Sequence, residues 1–252
     1  MVLAHELLDY LDQQLVSGKF SDYAPNGLQI EGRVNIKTIC TAVTASYDVI
    51  QQAIELGADA LIVHHGYFWR GEDPALVGMK YQRINALIAH QINLFAYHLP
   101  LDCHPQWGNN YQLGLGLGLL KMRAHRIGQI DGLLWTGALP KPLLIDDLMQ
   151  QCESFFKRRP VHLSGGHTHI QTLAWCTGAA QQYLIEAKRL GVDAYLSGEV
   201  SERTFYEAKE LAIDYFSCGH HATERLGVQA LGEHLALTFD LNHYYLDTEN
   251  PI

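Results

Sequence analysis

Ala53-Ile-Glu-Leu-Gly-Ala-Asp-Ala60, in the first half of the chain, returns in the second half as Ala187-Lys-Arg-Leu-Gly-Val-Asp-Ala194. Each copy reads as the end of a helix, a glycine stop and the start of a buried strand. Gly57 and Gly191 stand where a left-handed helix cap favours glycine. A strand-plus-turn phrase lies upstream of each copy, Thr41-Ala-Val-Thr-Ala-Ser46 and Cys176-Thr-Gly-Ala-Ala180. Downstream of each come another helix and an apolar strand running into a histidine, INLFAYH through His98 and IDYFSCGH through His220. The chain therefore reads as two related α/β lobes, although L-G-x-D-A is also ordinary grammar at a helix-to-strand junction.

Outward from the echo, strand-like runs at 36–43, 60–63, 94–97, 173–177, 194–196 and 215–217 alternate with helical stretches at 47–56, 81–90, 183–190, 201–211 and 223–237. That alternation implies a mainly parallel α/β arrangement. An amphipathic helix opens the chain, with Leu7, Leu8, Leu11 and Leu15 on one face. Residues 123–169 break the pattern with Pro140, Pro142 and Pro160, a helical run at 144–156 and strand-like flanks at 133–135 and 161–163. The expected organisation is a first α/β lobe at 1–122, a small α+β insert at 123–169 and a second α/β lobe at 170–252, with a metal site between the lobes.

Composition bounds what such a chain can do. Its 252 residues are 48% hydrophobic and 18% charged, enough apolar material for a substantial core. A formal charge of -9 argues against nucleic-acid binding through phosphate neutralisation, which needs a basic face. No apolar run approaches the roughly 20 residues of a membrane-spanning helix, the mean hydropathy is -0.07, and the N-terminus lacks a secretory pattern. Cys40, Cys103, Cys152, Cys176 and Cys218 are scattered without a C-x-x-C pair, which fits buried thiols in a reducing compartment, the cytoplasm by default.

In parallel α/β sheets, ligands bind beyond the carboxyl ends of the strands. Four polar phrases follow apolar runs: His64-His65, His98 with Asp102, Gly198-Glu199, and His220 with Glu224. Imidazole and carboxylate are the ligands of two-metal hydrolytic sites, whose ions lie about 3.5–4 Å apart. His64 and His65 end a strand, where the backbone turns and Gly66 suits the turn. His220 and Glu224 are four apart at a helix start and share a face; His221 as ligand with His220 behind it is the alternative. Any one histidine alone is ordinarily a core or surface residue. Donors at the strand ends of both lobes point instead to one centre holding two divalent ions.

Other features carry less. Leu113-Gly-Leu-Gly-Leu-Gly-Leu119 lacks the spacing of a dinucleotide fingerprint and reads as small-residue helix packing. His167 and His169 fall in a Gly-rich stretch read as a solvated loop. His104 is read as either pocket lining or loop surface, beside Pro105. There is no G-x-S-x-G elbow, Walker loop or H-E-x-x-H helix.

HHGYFWRG at 64–71, HLPLDCH at 98–104, LAWCTGAA at 173–180, LSGEVSE at 196–202, CGHHATE at 218–224 and the early SDYAPNGLQIEG at 21–32 together resemble the NIF-three-like (NGG-interacting-factor-three-like) family, often labelled GTP cyclohydrolase I type 2 homolog. The motifs occur in the expected order along essentially the whole chain, in the family's compact bacterial form. The resemblance implies two similar lobes, a dinuclear metal centre and a toroidal homohexamer. By motif position its metal ligands fall on His64, His65, Asp102, His220 and Glu224, and His98 and Glu199 fall beside the metals, in proton-transfer or orienting roles. A metal-dependent hydrolase acting on a nucleotide or heterocycle through metal-activated water is the expected function, and a non-catalytic metal-binding or trafficking oligomer is its rival. Zinc, iron, manganese and nickel all suit such donors.

Overall fold

The computed structural model describes all 252 residues. In chain order the elements begin β1 (Val2–Leu3), α1 (Ala4–Leu15), β2 (Gly27–Ile30), β3 (Asn35–Ile36), β4 (Thr38–Thr44), α2 (Tyr47–Glu55), β5 (Ala60–His65), α3 (Gly78–Ala89), β6 (Asn93–Ala96) and α4 (Leu99–Asp102). They continue with α5 (Asn109–Gly116), β7 (Leu120–Ile127), β8 (Ile130–Leu144), α6 (Ile145–Phe156), β9 (Val161–Leu163) and β10 (His169–Cys176). The last are α7 (Leu184–Arg189), β11 (Ala194–Ser197), α8 (Glu202–Glu210), β12 (Asp214–Ser217), α9 (His220–Phe239) and β13 (Asn242–Tyr245). The chain divides into two compact units, Met1–Leu101 with Gly227–Glu249 and Asp102–Leu226 with Asn250–Ile252.

The first unit carries a five-stranded sheet in the order β13-β4-β5-β6-β2. Strands β4, β5 and β6 are parallel, joined through α2 and α3, while β2 runs antiparallel to β6. The central strands are apolar on both faces, as expected of parallel strands covered by helices; Cys40, Ala42, Leu61, Val63 and Leu94 pack with Val49, Ile50 and Leu87 of the helices. α1 buries Leu7, Leu11 and Leu15.

The second unit carries a six-stranded sheet in the order β7-β8-β10-β11-β12-β9. Here β10, β11 and β12 are parallel through α7 and α8, so its core repeats the topology of β4, β5 and β6. The echo extends to hydrogen bonds. Gly57 and Gly191 both adopt positive φ, +65° and +74°. Asp59 Oδ2 accepts from the amides of Lys37 and Thr38, and Asp193 Oδ2 accepts from those of Gln171 and Thr172. Each repeated aspartate thus satisfies the amides near the start of the neighbouring parallel strand, which ordinary junction grammar does not require.

Segment 123–169 does not form a body of its own in the fold. β8 and β9 are strands of the second sheet, and α6 places Leu148, Cys152 and Phe156 in the same core as Trp175 and Phe216. Pro140 and Pro142 masked this continuity. They fall in β8 between Ala138, opposite Thr172, and Leu143, opposite Ile170, where the register shifts; a bulge is where a sheet tolerates residues that cannot donate. The boundary expected at 122 also differs from the compact units. α5 belongs to the second unit, where a Cβ on Gly114 would come within 2.5 Å of Trp175 and one on Gly116 within 2.5 Å of Phe155, the close packing read from the Leu-Gly run. At the other end of the chain, β13 pairs in parallel with β4 and returns residues 227–249 to the first unit.

All five cysteines are buried free thiols. No helix is long and apolar enough to cross a membrane.

Candidate functional site

In the first unit, β5 ends on His64 and His65. His64 is fully buried, and its Nδ1 lies 3.0 Å from the Tyr97 carbonyl. A carbonyl only accepts, so Nδ1 carries the hydrogen and Nε2 keeps its lone pair, the form in which imidazole binds a metal. His65 Nδ1 lies 3.2 Å from Thr44 Oγ1 at the end of β4. His98, two residues beyond β6, sets its Nδ1 2.7 Å from Asp22 Oδ1. Burial works against the Asp22 charge, yet hydrogen bonding and charge from His98, then the bonds from Asn26 and the Tyr23 amide, hold its carboxyl below the usual range. An ionised Asp22 accepts from His98 Nδ1–H, so in the neutral imidazole the lone pair is on Nε2. The His98 ring lies 5.0 Å from that of His64 and 5.7 Å from that of His65, and a ligand nitrogen from each of the three falls within 4.8 Å of the others. Gly66 is needed for close approach and not for an unusual turn, since a Cβ there would meet Ala96 Cβ at 2.7 Å and overlap Gln29.

In the second unit, Asp102 is buried at the end of α4, and its Oδ1 accepts from Asn109 Nδ2 at 2.9 Å and Thr177 Oγ1 at 3.1 Å. Asn110 braces the same region, donating to the Asp102 carbonyl and accepting from the Thr177 amide. α9 opens on His220, and one turn later Glu224 Oε2 sits 3.1 Å from His220 Nε2. Oxygens of Glu224 and Asp102 lie within 4.8 Å of each other. Glu199 Oε1 sits 2.7 Å from His220 Nδ1, and the Glu199 carbonyl accepts from Tyr215. Burial opposes the His220 charge, but hydrogen bonds and charge from Glu224 and Glu199 outweigh it and raise its pKa to about 9. Gly178, at φ +68°, lines this set; a Cβ there would overlap Glu224 Oε1 and sit 3.3 Å from His220 Nε2.

The first unit thus brings His64, His65 and His98 together, and the second brings Asp102, His220, Glu224 and Glu199 together. Both sets offer imidazole nitrogen or carboxylate oxygen, chemistry that fits a borderline divalent transition ion. Burial, then the charges of Asp102, Cys103 and Glu224, push the nearby Cys176 thiol well up, and no cysteine belongs to the metal-capable groups. His221 is buried and belongs to none of the metal-capable groups. His104 stacks on Trp107 at 4.4 Å and accepts from the Trp107 amide. His167 lies in the loop between β9 and β10 and is half-buried, its Nδ1 2.8 Å from buried Asp214, while His162 Nε2 takes the other oxygen of Asp214 at 2.8 Å. His169 is the first residue of β10. Sequence reasoning missed Asp22, Thr44, Asn109, Asn110 and Thr177, the residues that orient the donors. The Asn-Asn pair seven residues after Asp102 was the available signal.

Comparison with known proteins finds relatives that match along the whole chain. The chain is 47% identical over 244 residues to a Vibrio cholerae protein named GTP cyclohydrolase 1 type 2 homolog, covering 96% of each. It is 44% identical over 251 residues to an Allochromatium vinosum protein of the same name, covering 100% of this chain and 98% of the relative. Among solved structures, the protein ybgI, described as of unknown function, superimposes with a TM-score of 0.94 at 44% identity over the full length of both chains. TTHA1606 from Thermus thermophilus superimposes with a TM-score of 0.90 at 32% identity, also over the full length of both. With its residues 2–251 matched by the family model, the chain belongs to the Duf34/NIF3 (NGG1p interacting factor 3) family.

Proposed function

We propose that this protein is a metal-dependent hydrolase of the cyclohydrolase type, acting on a nucleotide or related heterocycle. Two divalent ions per chain would be held by His64, His65, Asp102, His220 and Glu224. The observation that carries the reading is the gathering of imidazole and carboxylate donors in both compact units; the name shared by the relatives supports the substrate class. Bound divalent ions supply Lewis acidity and bring the pKa of water toward neutrality.

The chain's own residues supply the rest. Asp22 fixes the His98 tautomer, so the Nε2 lone pair can take a proton from an attacking water. Glu199 holds the His220 ring from its far side, the orienting role that carboxylates play behind metal-bound histidines. Tyr97 and Thr44 do the same for His64 and His65. We further propose a cytoplasmic homohexamer, in keeping with the family resemblance and with five unpaired buried thiols.

Metal content per chain on native protein, followed by turnover across a panel of nucleotides and heterocycles, tests the reading. His65→Ala and Asp102→Ala are expected to lose metal and turnover while keeping wild-type circular dichroism. Turnover that persists in both variants, or a metal-replete protein silent across the panel, would overturn the hydrolase; the second result would leave a metal-binding protein.

A further inference from the structure

Strand β7 is an edge of the second sheet and pairs only with β8. It carries Lys121, Arg123 and His125. These three line a cleft of about 370 Å³, within the roughly 300–1,000 Å³ range of small-molecule sites. Thr136 and Thr172 add hydroxyls, and Leu190 and Val192, beyond α7, form an apolar wall.

We propose that this cleft binds a small organic phosphate. Neither Lys121 nor Arg123 forms an ion pair, although the chain carries 27 acidic against 18 basic residues. On a surface with that excess of acids, two adjacent unpaired cations converging on a concavity form a local anion site. The backbone is bent to make it: Lys121 adopts φ +53°, and the register between β7 and β8 shifts between Leu120 and Arg123. A bulge of this kind re-aims the side chains beside it, and a non-glycine residue in the left-handed region costs energy that a plain edge strand would avoid. His125 is anchored by its Nε2, 2.7 Å from Thr136 Oγ1, which sets the imidazole beside the cations. No carboxylate lines the cleft; Asp193, the chain neighbour of Val192, accepts from the amides of Gln171 and Thr172 and from the Thr172 hydroxyl. Arg and Lys bound to phosphate oxygens make charge-assisted bonds, and the apolar wall suits the organic part of an ester. Nucleic acid fits less well, because a single cleft on a chain of net charge -9 gives no extended basic track.

Isothermal titration of the native protein with phenyl phosphate, and with phenol as the uncharged control, tests this. Phenyl phosphate is expected to bind and phenol not to. Lys121→Gln with Arg123→Gln should weaken binding by about tenfold or more, the scale of two lost charge-assisted bonds. Both residues lie on an edge strand outside the core, so unchanged circular dichroism is expected; the single variant Arg123→Gln provides an intermediate loss. His65→Ala should bind phenyl phosphate like wild type, which separates this cleft from the proposed metal donors. Absence of binding, equal binding by the double variant, or loss in His65→Ala would overturn the proposal. So would tighter binding of a single-stranded oligonucleotide with a steep salt dependence, which would assign the cations to a polymer.

Discussion

Replacing Gly178 by alanine separates the geometry of the donor set from the general cost of disturbing a glycine. Gly178 and Gly191 have nearly the same backbone, φ +68° and +74°, but a Cβ on Gly191 meets nothing within 4 Å while one on Gly178 overlaps Glu224 Oε1 and lies 3.2 Å from its Cδ. The backbone term is shared. An L-residue in the left-handed region costs about 1–2 kcal/mol, which lowers the melting temperature of a chain this size by roughly 2–8 °C. Only Gly178→Ala adds the overlap. Glu224 is 2% exposed, so its carboxylate has little open space to enter. To regain ordinary contact its oxygen would withdraw by about 1 Å, several times the roughly 0.2 Å tolerance of a metal–ligand distance. Metal per chain after dialysis, read by mass spectrometry beside thermal melts, is expected to stay at the wild-type level in Gly191→Ala and to fall in Gly178→Ala. Full metal content in Gly178→Ala, or equal loss in both variants, would refute the claim that Gly178 makes room for a liganding Glu224.

Two pH effects follow from the same structure. In metal-free protein the His220 pKa is raised from 6.5 to about 9, so its pairing with Glu224 and Glu199 contributes fully below pH 6.5 and is lost as pH rises through about 9. Thermal melts of chelated protein should therefore decline across that window, and His220→Gln should flatten the decline. Asp214 is the opposite case. Burial raises its pKa, but bonds from His162 and His167 and from backbone amides leave it lowered, so its contribution is present above pH 3.8 and disappears as pH falls through the depressed value. Asp214→Asn, which removes charged acceptors, should cost about 2–3 kcal/mol at pH 7 by denaturant unfolding and remove that part of the acid limb; unchanged stability would refute the role given to the pair of histidines.

The amino-acid sequence by itself determined the α/β alternation and the repeat, and it marked candidate donors. A short apolar run such as Ala60–Val63, following a glycine that ends a helix, reads as a buried strand, and polar residues straight after such a run stand at a strand's carboxyl end. His64, His65, His98, His220 and Glu224 were legible for that local reason. Tertiary structure decided what acts over distance. Asp22 reaches His98 across 76 positions and Thr177 reaches Asp102 across 75, and nothing local marks either partner. Pro140 and Pro142 read as a break because a bulge that lets a strand keep prolines exists only against its neighbour β10. The cleft beside β7 was hidden for the same reason: Lys121 and Arg123 look like an ordinary solvated strand face until the sheet edge, the bulge and the turn after α7 enclose them. Local chemistry fixes which residues can end a strand or bind an ion, whereas hydrogen bonds between remote segments form only once the chain has closed its loops.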